Sequence, residues 1–354
     1  MVKRSLVLVI SLLSLALVGF LGYYFLYLPE EPGEVRVEVE TESESELKTE
    51  ETTTQRSMIL MDTIVDVRVD GASSSQLVDE VFSTMGDLEK VFSRFVDESE
   101  VSKINRQAGE WVKVSPLTID LIELGIEIGD LTQGAFDITI GAVLELWGFG
   151  TGVYSVPSEE QLAEALATVD FRQVEVDREQ GTVRIPQGTV LDLGGIAKGF
   201  IVDYGTRLLR EAKVQRAIVN AGGDISVIGR RPDGVPWRVG VQDPDQPSEI
   251  RWILPLDDQS VVTSGDYQRY FIYEDQRYHH IIDPRTGYPA RGLHSVTIVG
   301  EDSAVCDALS TAVFVLGWEE GRTLVEKLPE VEAIIMSATD TWISPDLAQA
   351  MGTQ

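Results

Sequence analysis

Cationic residues are scarce in this chain: 29 Lys and Arg stand against 58 Asp and Glu over 354 residues, and the formal net charge is −29. Such a surface repels a phosphate backbone, which excludes nucleic-acid binding as the main activity. A site for a phosphorylated ligand must therefore bring a metal ion or well-placed cations of its own. One cysteine, Cys306, rules out an intrachain disulfide, and a domain of this size does not need one. Cys306 reads as a small buried apolar residue rather than a nucleophile. Only three histidines occur, and no Cys/His cluster has zinc spacing. P-loop and dinucleotide fingerprints are absent, and there is no internal repeat.

The N-terminus, in contrast, holds a long stretch without charge. Lys3 and Arg4 precede the run Ser5–Leu28, which is long enough to cross a bilayer at about 20 residues per helix. A cleaved signal peptide has a shorter apolar region and a small-residue exit site. A lipoprotein anchor needs a cysteine after the run, and a buried core helix does not read as apolar on every face. An uncleaved signal anchor fits best. The cations before the run and the acidic segment after it put residues 1–28 at and in the membrane and the remainder outside the cytoplasm. Residues 29–57 are rich in Glu, Ser and Thr and read as a stalk that cannot bury enough surface to fold alone. Residues 1–57 hold ten Glu against five Lys and Arg, so the expected folded domain, 58–354, still carries −24.

Within that domain, MILMDTIVDVRVD from Met58 alternates like a strand. Leu77, Val81, Met85, Leu88, Val91, Phe92 and Phe95 recur at helical spacing from Gln76 to Phe95. Further helices are expected after Pro116, over Ser158–Thr168, from Gly194–Gly199 to about Ala212, and over Ser303–Leu316. Most of Val214–Val299 reads as strands and turns. Helices and strands mix without regular alternation, which indicates an α+β fold with mixed sheets and packed helices, preceded by one N-terminal transmembrane helix.

Four segments carry chemistry. VLDLGGIAKGFIVD (Val190–Asp203) runs from a strand through paired glycines into a helix bearing Lys198. Backbone N–H groups and a cation there suit a phosphate, although a plain helix start with an exposed lysine has the same pattern. NAGGD (Asn220–Asp224) is equally a hairpin turn or a ligand wall. YHHIIDPRTGYPA (Tyr278–Ala290) places His279 and His280 side by side; in a strand they point to opposite faces, so one of them can face a site. DALST (Asp307–Thr311) sets Asp307 and Thr311 on one helical face beside Ser310, a hard-oxygen set suited to Mg2+ or Ca2+. An N-terminal Asp favoured by the helix dipole is the plainer explanation of Asp307.

Together with MDT (Met61–Thr63), FSRFVDESEVSKIN (Phe92–Asn105), GAFDITIG (Gly134–Gly141) and TSGDYQRYF, these segments occur in one order. In that order they resemble the FAD:protein FMN transferase family, also called ApbE, over nearly all of residues 58–345. The resemblance implies an α+β fold with FAD as substrate in a cleft and Mg2+ beside the pyrophosphate. It implies flavin contacts at Met61, Phe95, Ala135, Phe136, Asp137, Asp192, Lys198 and Ile281. It implies metal contacts at the Gly195 carbonyl, Asp307, Ser310 and Thr311, and catalytic roles for His280, Asp307 and Lys198. Two positions depart from the pattern. Asp62 stands where the family often has glycine, and Phe95 where it commonly has Tyr or Trp, so stacking is kept and a polar handle lost. The implied reaction moves FMN to a threonine of an acceptor protein and releases AMP. The implied partner class is a subunit of a membrane redox complex. Hydrolysis of FAD to FMN and AMP, and non-catalytic flavin binding at the membrane, are the alternatives.

Overall fold

The computed structural model describes residues 53–71, 74–246 and 248–352. The expected membrane helix and most of the expected stalk lie outside the described residues. Among those described, no helix is long and apolar enough to cross a membrane. The described residues fall in one compact unit.

The alternating segment near Met58 is a hairpin rather than one strand. Thr53–Leu60 pairs with Thr63–Asp70 from Thr53↔Asp70 to Leu60↔Thr63. Met61 and Asp62 turn the chain with φ of 53° and 56°, the left-handed pair that a two-residue hairpin requires. Order thus begins before Met58: Thr53–Ser57, assigned from composition to the stalk, belong to the first strand. On the second strand Val65, Val67 and Val69 are buried, as period-two alternation demands.

This hairpin opens an eight-stranded antiparallel sheet whose spatial order follows the chain. After it come Ala217–Ala221, Asp224–Ile228, Ser260–Gly265, Ser295–Gly300, Glu332–Met336 and Thr341–Ile343. Helices Ser74–Phe92, Ala197–Glu211 and Ser303–Val325 share one core with the sheet. A second core joins Val227, Val261 and Ile334 to the hairpin Trp237–Gln242/Ile250–Leu256 and to Leu347. The α+β expectation holds.

Helix limits follow local chemistry. Ser115 caps the helix Pro116–Leu131 with proline in its first turn, and Ser158 with Gln161 forms a capping box on Glu159–Leu166. The apolar stripe of Ser74–Phe92 buries Val81, Met85, Leu88 and Phe92. Phe95, which the periodicity puts on the same stripe, lies beyond the helix end and is 55% exposed. Gly317 leaves helical geometry at φ 79°, ψ −168°, so the first part of Ser303–Val325 ends at Leu316 as expected.

Two contacts bind the helix carrying Lys198 to the one carrying Asp307. Asp203 accepts hydrogen bonds from the Ser303 and Ala304 amides, both at 2.8 Å, capping the second helix from the first. At Gly199 the backbones approach so closely that a Cβ would lie 2.3 Å from the Ser303 carbonyl oxygen. Gly199→Ala gains about 1 kcal/mol of helix propensity, yet the clash is with backbone and cannot relax by a rotamer change. A net loss of about 1–3 kcal/mol is expected, measured as a lower urea midpoint. An unchanged or higher midpoint would refute this close packing.

Candidate active site

Two adjoining hollows share Phe95, Asp192, Gly194 and Arg269 as a common wall. The first is largely apolar and takes in Ala135, Phe136, Leu144, Phe149, Tyr154 and Ile281, with Asp137, Gly195, His280 and Thr311. The second is charged and takes in Met61, Asp62, Arg94, Lys198, Asp224, Ser264 and Asp307. A planar apolar group fits the first lobe and an anionic one the second, provided cations accompany it.

Local sequence builds the common wall. The Asn105 side-chain amide donates to the Leu191 carbonyl at 2.9 Å and accepts from the Leu191 amide at 2.8 Å, acting as a strand neighbour to the segment before Asp192. Asp192 accepts from the Gly194 amide at 2.7 Å and pairs with Arg94. Arg94, whose side chain is 6% exposed, also reaches Glu145 at 2.8 Å and lies 4.3 Å from the Phe95 ring centre. Phe95 in turn packs against Gly150, where a Cβ would meet the ring at 2.1 Å. The carboxylate of Asp137 accepts from the amide and hydroxyl of Thr139 at 2.7 and 2.6 Å and from the Phe171 amide at 3.1 Å. It fixes the Gly134–Ile140 turn beside the lobe.

In the charged lobe, Lys198 pairs with buried Asp224 at 2.9 Å, and Asp307 accepts from the Gly199 amide at 3.1 Å. Burial opposes the Lys198 charge, but Asp224 and Asp307 outweigh it and raise its pKa. Burial and the nearby Asp224 push Asp307 up to about 8; burial likewise raises Asp224 against the pull of Lys198. One Asp224 carboxylate oxygen is buried without a hydrogen-bond partner. Two buried carboxyl groups thus share a single lysine and resist ionising together, and a cation beside them would favour their charged forms.

The donors near Asp307 suit Mg2+. Gly195 lies close to Thr311, whose hydroxyl oxygen would sit 3.8 Å from a Cβ added to the glycine. Among the described residues, no group of three or more His, Cys, Asp or Glu is placed to hold a metal. One carboxylate with neutral oxygens is what Mg2+ takes when substrate phosphates and waters complete its shell. Ser310 does not open onto the cleft: it is fully buried, donates to the Asp307 carbonyl at 2.9 Å and meets the Ser264 hydroxyl at 2.7 Å.

The two histidines part company as alternation requires. His280 lines the apolar lobe; burial, and then the Arg269 cation, lower its pKa to about 3. His279 faces away, its Nε2 2.8 Å from the Ala290 carbonyl and its ring edge-on to Phe314. The structure also brings in Arg94, Asp224 and Arg269, which sequence reasoning did not single out. Asp224 closes NAGGD, and Arg269 lies inside TSGDYQRYF, so the motifs contained the signal without ranking it.

Residues 61–335 match the ApbE family. A Treponema pallidum (strain Nichols) protein named FAD:protein FMN transferase is 36% identical over 306 residues, covering 79% of this chain and 83% of its own length. One of the same name from Haemophilus influenzae is 33% identical over 267 residues, covering 72% and 77%. The crystal structure of the ApbE protein from Thermotoga maritima aligns with a TM-score of 0.80 at 35% identity, over 85% of this chain and 99% of that one. Pseudomonas stutzeri flavinyl transferase ApbE, in its apo form, gives 0.78 at 29% identity over 86% and 98%. The match takes in both lobes of the cleft from Met61 to Thr311 and most of the sheet around them, and the chain belongs to the ApbE family.

Proposed function

We propose that this chain is a Mg2+-dependent FAD:protein FMN transferase that moves FMN from FAD to a threonine of an acceptor protein and releases AMP. The observation that carries the reading is the joining of an apolar slot to a charged lobe across one wall, in a chain whose relatives bear that enzyme name. Phe95, Phe136 and Ile281 flank the isoalloxazine, and the pyrophosphate falls where the lobes meet. Asp307, Thr311 and the Gly195 carbonyl would hold Mg2+, which when bound there neutralises pyrophosphate oxygens and polarises phosphorus.

The threonine hydroxyl attacks the FMN phosphorus, a new P–O bond forms, and the bond to the AMP phosphate breaks. Neutral His280 accepts the hydroxyl proton, while Lys198 holds the charge that develops on the departing AMP. The uncharged run Ser5–Leu28 behind Lys3 and Arg4 supports a single-pass tether with the enzyme outside the cytoplasm. An acceptor on a membrane redox complex would then lie within reach.

The test incubates the full chain with FAD, Mg2+ and a threonine-bearing acceptor peptide, followed by mass spectrometry. An FMN adduct on the peptide with equimolar AMP is expected. AMP with free FMN and no adduct across several peptides would mean a hydrolase, and bound FAD without either product would mean a flavin-binding protein.

A further inference from the structure

Among the described residues the cleft wall holds three cationic side chains, and two are already engaged. Arg94 is held by Asp192 and Glu145, and Lys198 by Asp224. Arg269 lines both lobes, and its guanidinium has no ion pair or hydrogen bond among the described residues. The neighbouring Asp266 does not take it, being paired with Arg277 at 3.3 Å. In a chain of net charge −29, most arginines of the fold have found a carboxylate, so an exposed unpaired one in a cleft wall calls for a ligand.

The main chain that carries this side chain is fixed. The Arg269 carbonyl accepts from the His280 amide at 3.1 Å and lies 3.2 Å from His280 Nδ1. Gln268 donates to the Thr263 carbonyl at 2.8 Å. Arg269 thus opens the hairpin Tyr270–Tyr273/Gln276–His279 at its root, with His280 closing the same root. Arg269 lines both lobes, with His280 in the first and Lys198 in the second, and its positive charge is felt at both groups.

We propose that Arg269 is the phosphate-recognising residue of this cleft: its guanidinium grips the pyrophosphate of FAD where the lobes meet and makes the site select phosphorylated flavins over riboflavin. This rests on the FMN-transferase reading above and adds to it the residue that sets ligand class. A planar guanidinium suits the task because its forked donors bind two phosphate oxygens at once, which a lysine does not. It also leaves Lys198 and Asp307 to the reacting centre.

The experiment titrates FAD, FMN and riboflavin into the full chain by flavin fluorescence, for wild type, Arg269→Gln and Arg269→Lys. Arg269→Gln is expected to weaken FAD about 10–100-fold, in line with loss of hydrogen bonds to a charged group, and to leave riboflavin within twofold. Arg269→Lys restores part of the FAD affinity, because the charge returns without the fork. NMR titration of the His280 ring with and without FAD should show the bound pyrophosphate raising its pKa more in the wild type than in Arg269→Gln, a difference that a merely structural role would not cause. Equal weakening of FAD and riboflavin, or unchanged FAD affinity, overturns the proposal. If Arg269→Gln does not fold, Arg269→Lys decides: it must weaken FAD more than riboflavin. Failure of the wild-type chain to bind FAD would overturn the transferase reading and this inference with it, whereas loss confined to the variants bears on Arg269 alone.

Discussion

Asp307→Ala is expected to lower FAD turnover about 10²–10³-fold, the range seen when a charge-stabilising group is removed from a reacting centre. It should also abolish any rise in melting temperature that Mg2+ gives the wild-type chain. Asp307 is the only carboxylate in the expected metal set, beside the Thr311 hydroxyl and the Gly195 carbonyl, and its side chain is buried. Removing it takes away the one anionic donor and leaves neutral oxygens that bind Mg2+ poorly. Lys198 would keep its ion pair with Asp224, so the fold around the lobe should survive.

The same residue gives the effect a pH dependence. Burial first, and Asp224 next, hold the Asp307 pKa at about 8 in the folded chain, against about 3.9 when unfolded. Between those values the folded state binds more protons, so stability is fully present below the unfolded value and is lost as pH rises through 8. Mg2+ requires the ionised carboxylate and competes with the proton. Its stabilisation of the wild-type chain should therefore be larger at pH 8 than at pH 5, as read by thermal scans. Full turnover of Asp307→Ala at limiting Mg2+, or a Mg2+ shift that persists in the variant, would defeat the assignment.

Much of this cleft was legible in the sequence because its parts are short and local. DLGGIAKG is a tight turn and a helix start in one stretch, and DALST is one helical face; neither needs a distant partner to be read, although the strand expected before Asp192 is reduced to a single bridge from Val190 to Ile140. Spacing also placed the helix after Pro116, since the serine cap and the proline act within one turn. Contacts between distant segments were not legible. Asp224 becomes a partner of Lys198 only when the sheet sets the NAGGD turn against a helix that precedes it in the chain. Arg94 joins Asp192 across 98 residues. Met61–Asp62 was hidden for another reason: alternation continues on both sides of the turn, and neither residue is the glycine or asparagine that usually marks φ > 0. Periodicity likewise extended the first helix to Phe95, because a count of spacing does not see where a helix stops and a cleft begins.

His280→Ala is expected to lower FMN transfer about 10²–10⁴-fold, the usual contribution of a positioned acid or base, with FAD affinity changed little. His279→Ala is the matched control. That ring is buried against Ala290 and Phe314 on the far side of the strand, so its loss should lower the melting temperature and leave the rate per folded molecule intact. The pKa of His280 sharpens the expectation. Burial and the Arg269 cation lower it to about 3 in the free chain, so the ring is neutral at pH 7 and ready to accept a proton, but weakly basic. In the folded chain the depressed value means stability that is present above the unfolded pKa of about 6.5 and lost as pH falls toward 3. A pyrophosphate bound beside Arg269 offsets that cation and adds negative charge, both of which favour the imidazolium and raise the pKa. The profile of kcat/KM, which reports the free enzyme, should thus show no inflection near pH 6.5 from this residue. The profile of kcat, which reports the FAD complex, should show an acid limb that His280→Ala lacks. Identical profiles for wild type and variant, or a variant with undiminished kcat, would remove His280 from the proton transfer and leave the acceptor hydroxyl to be activated by the charged lobe alone.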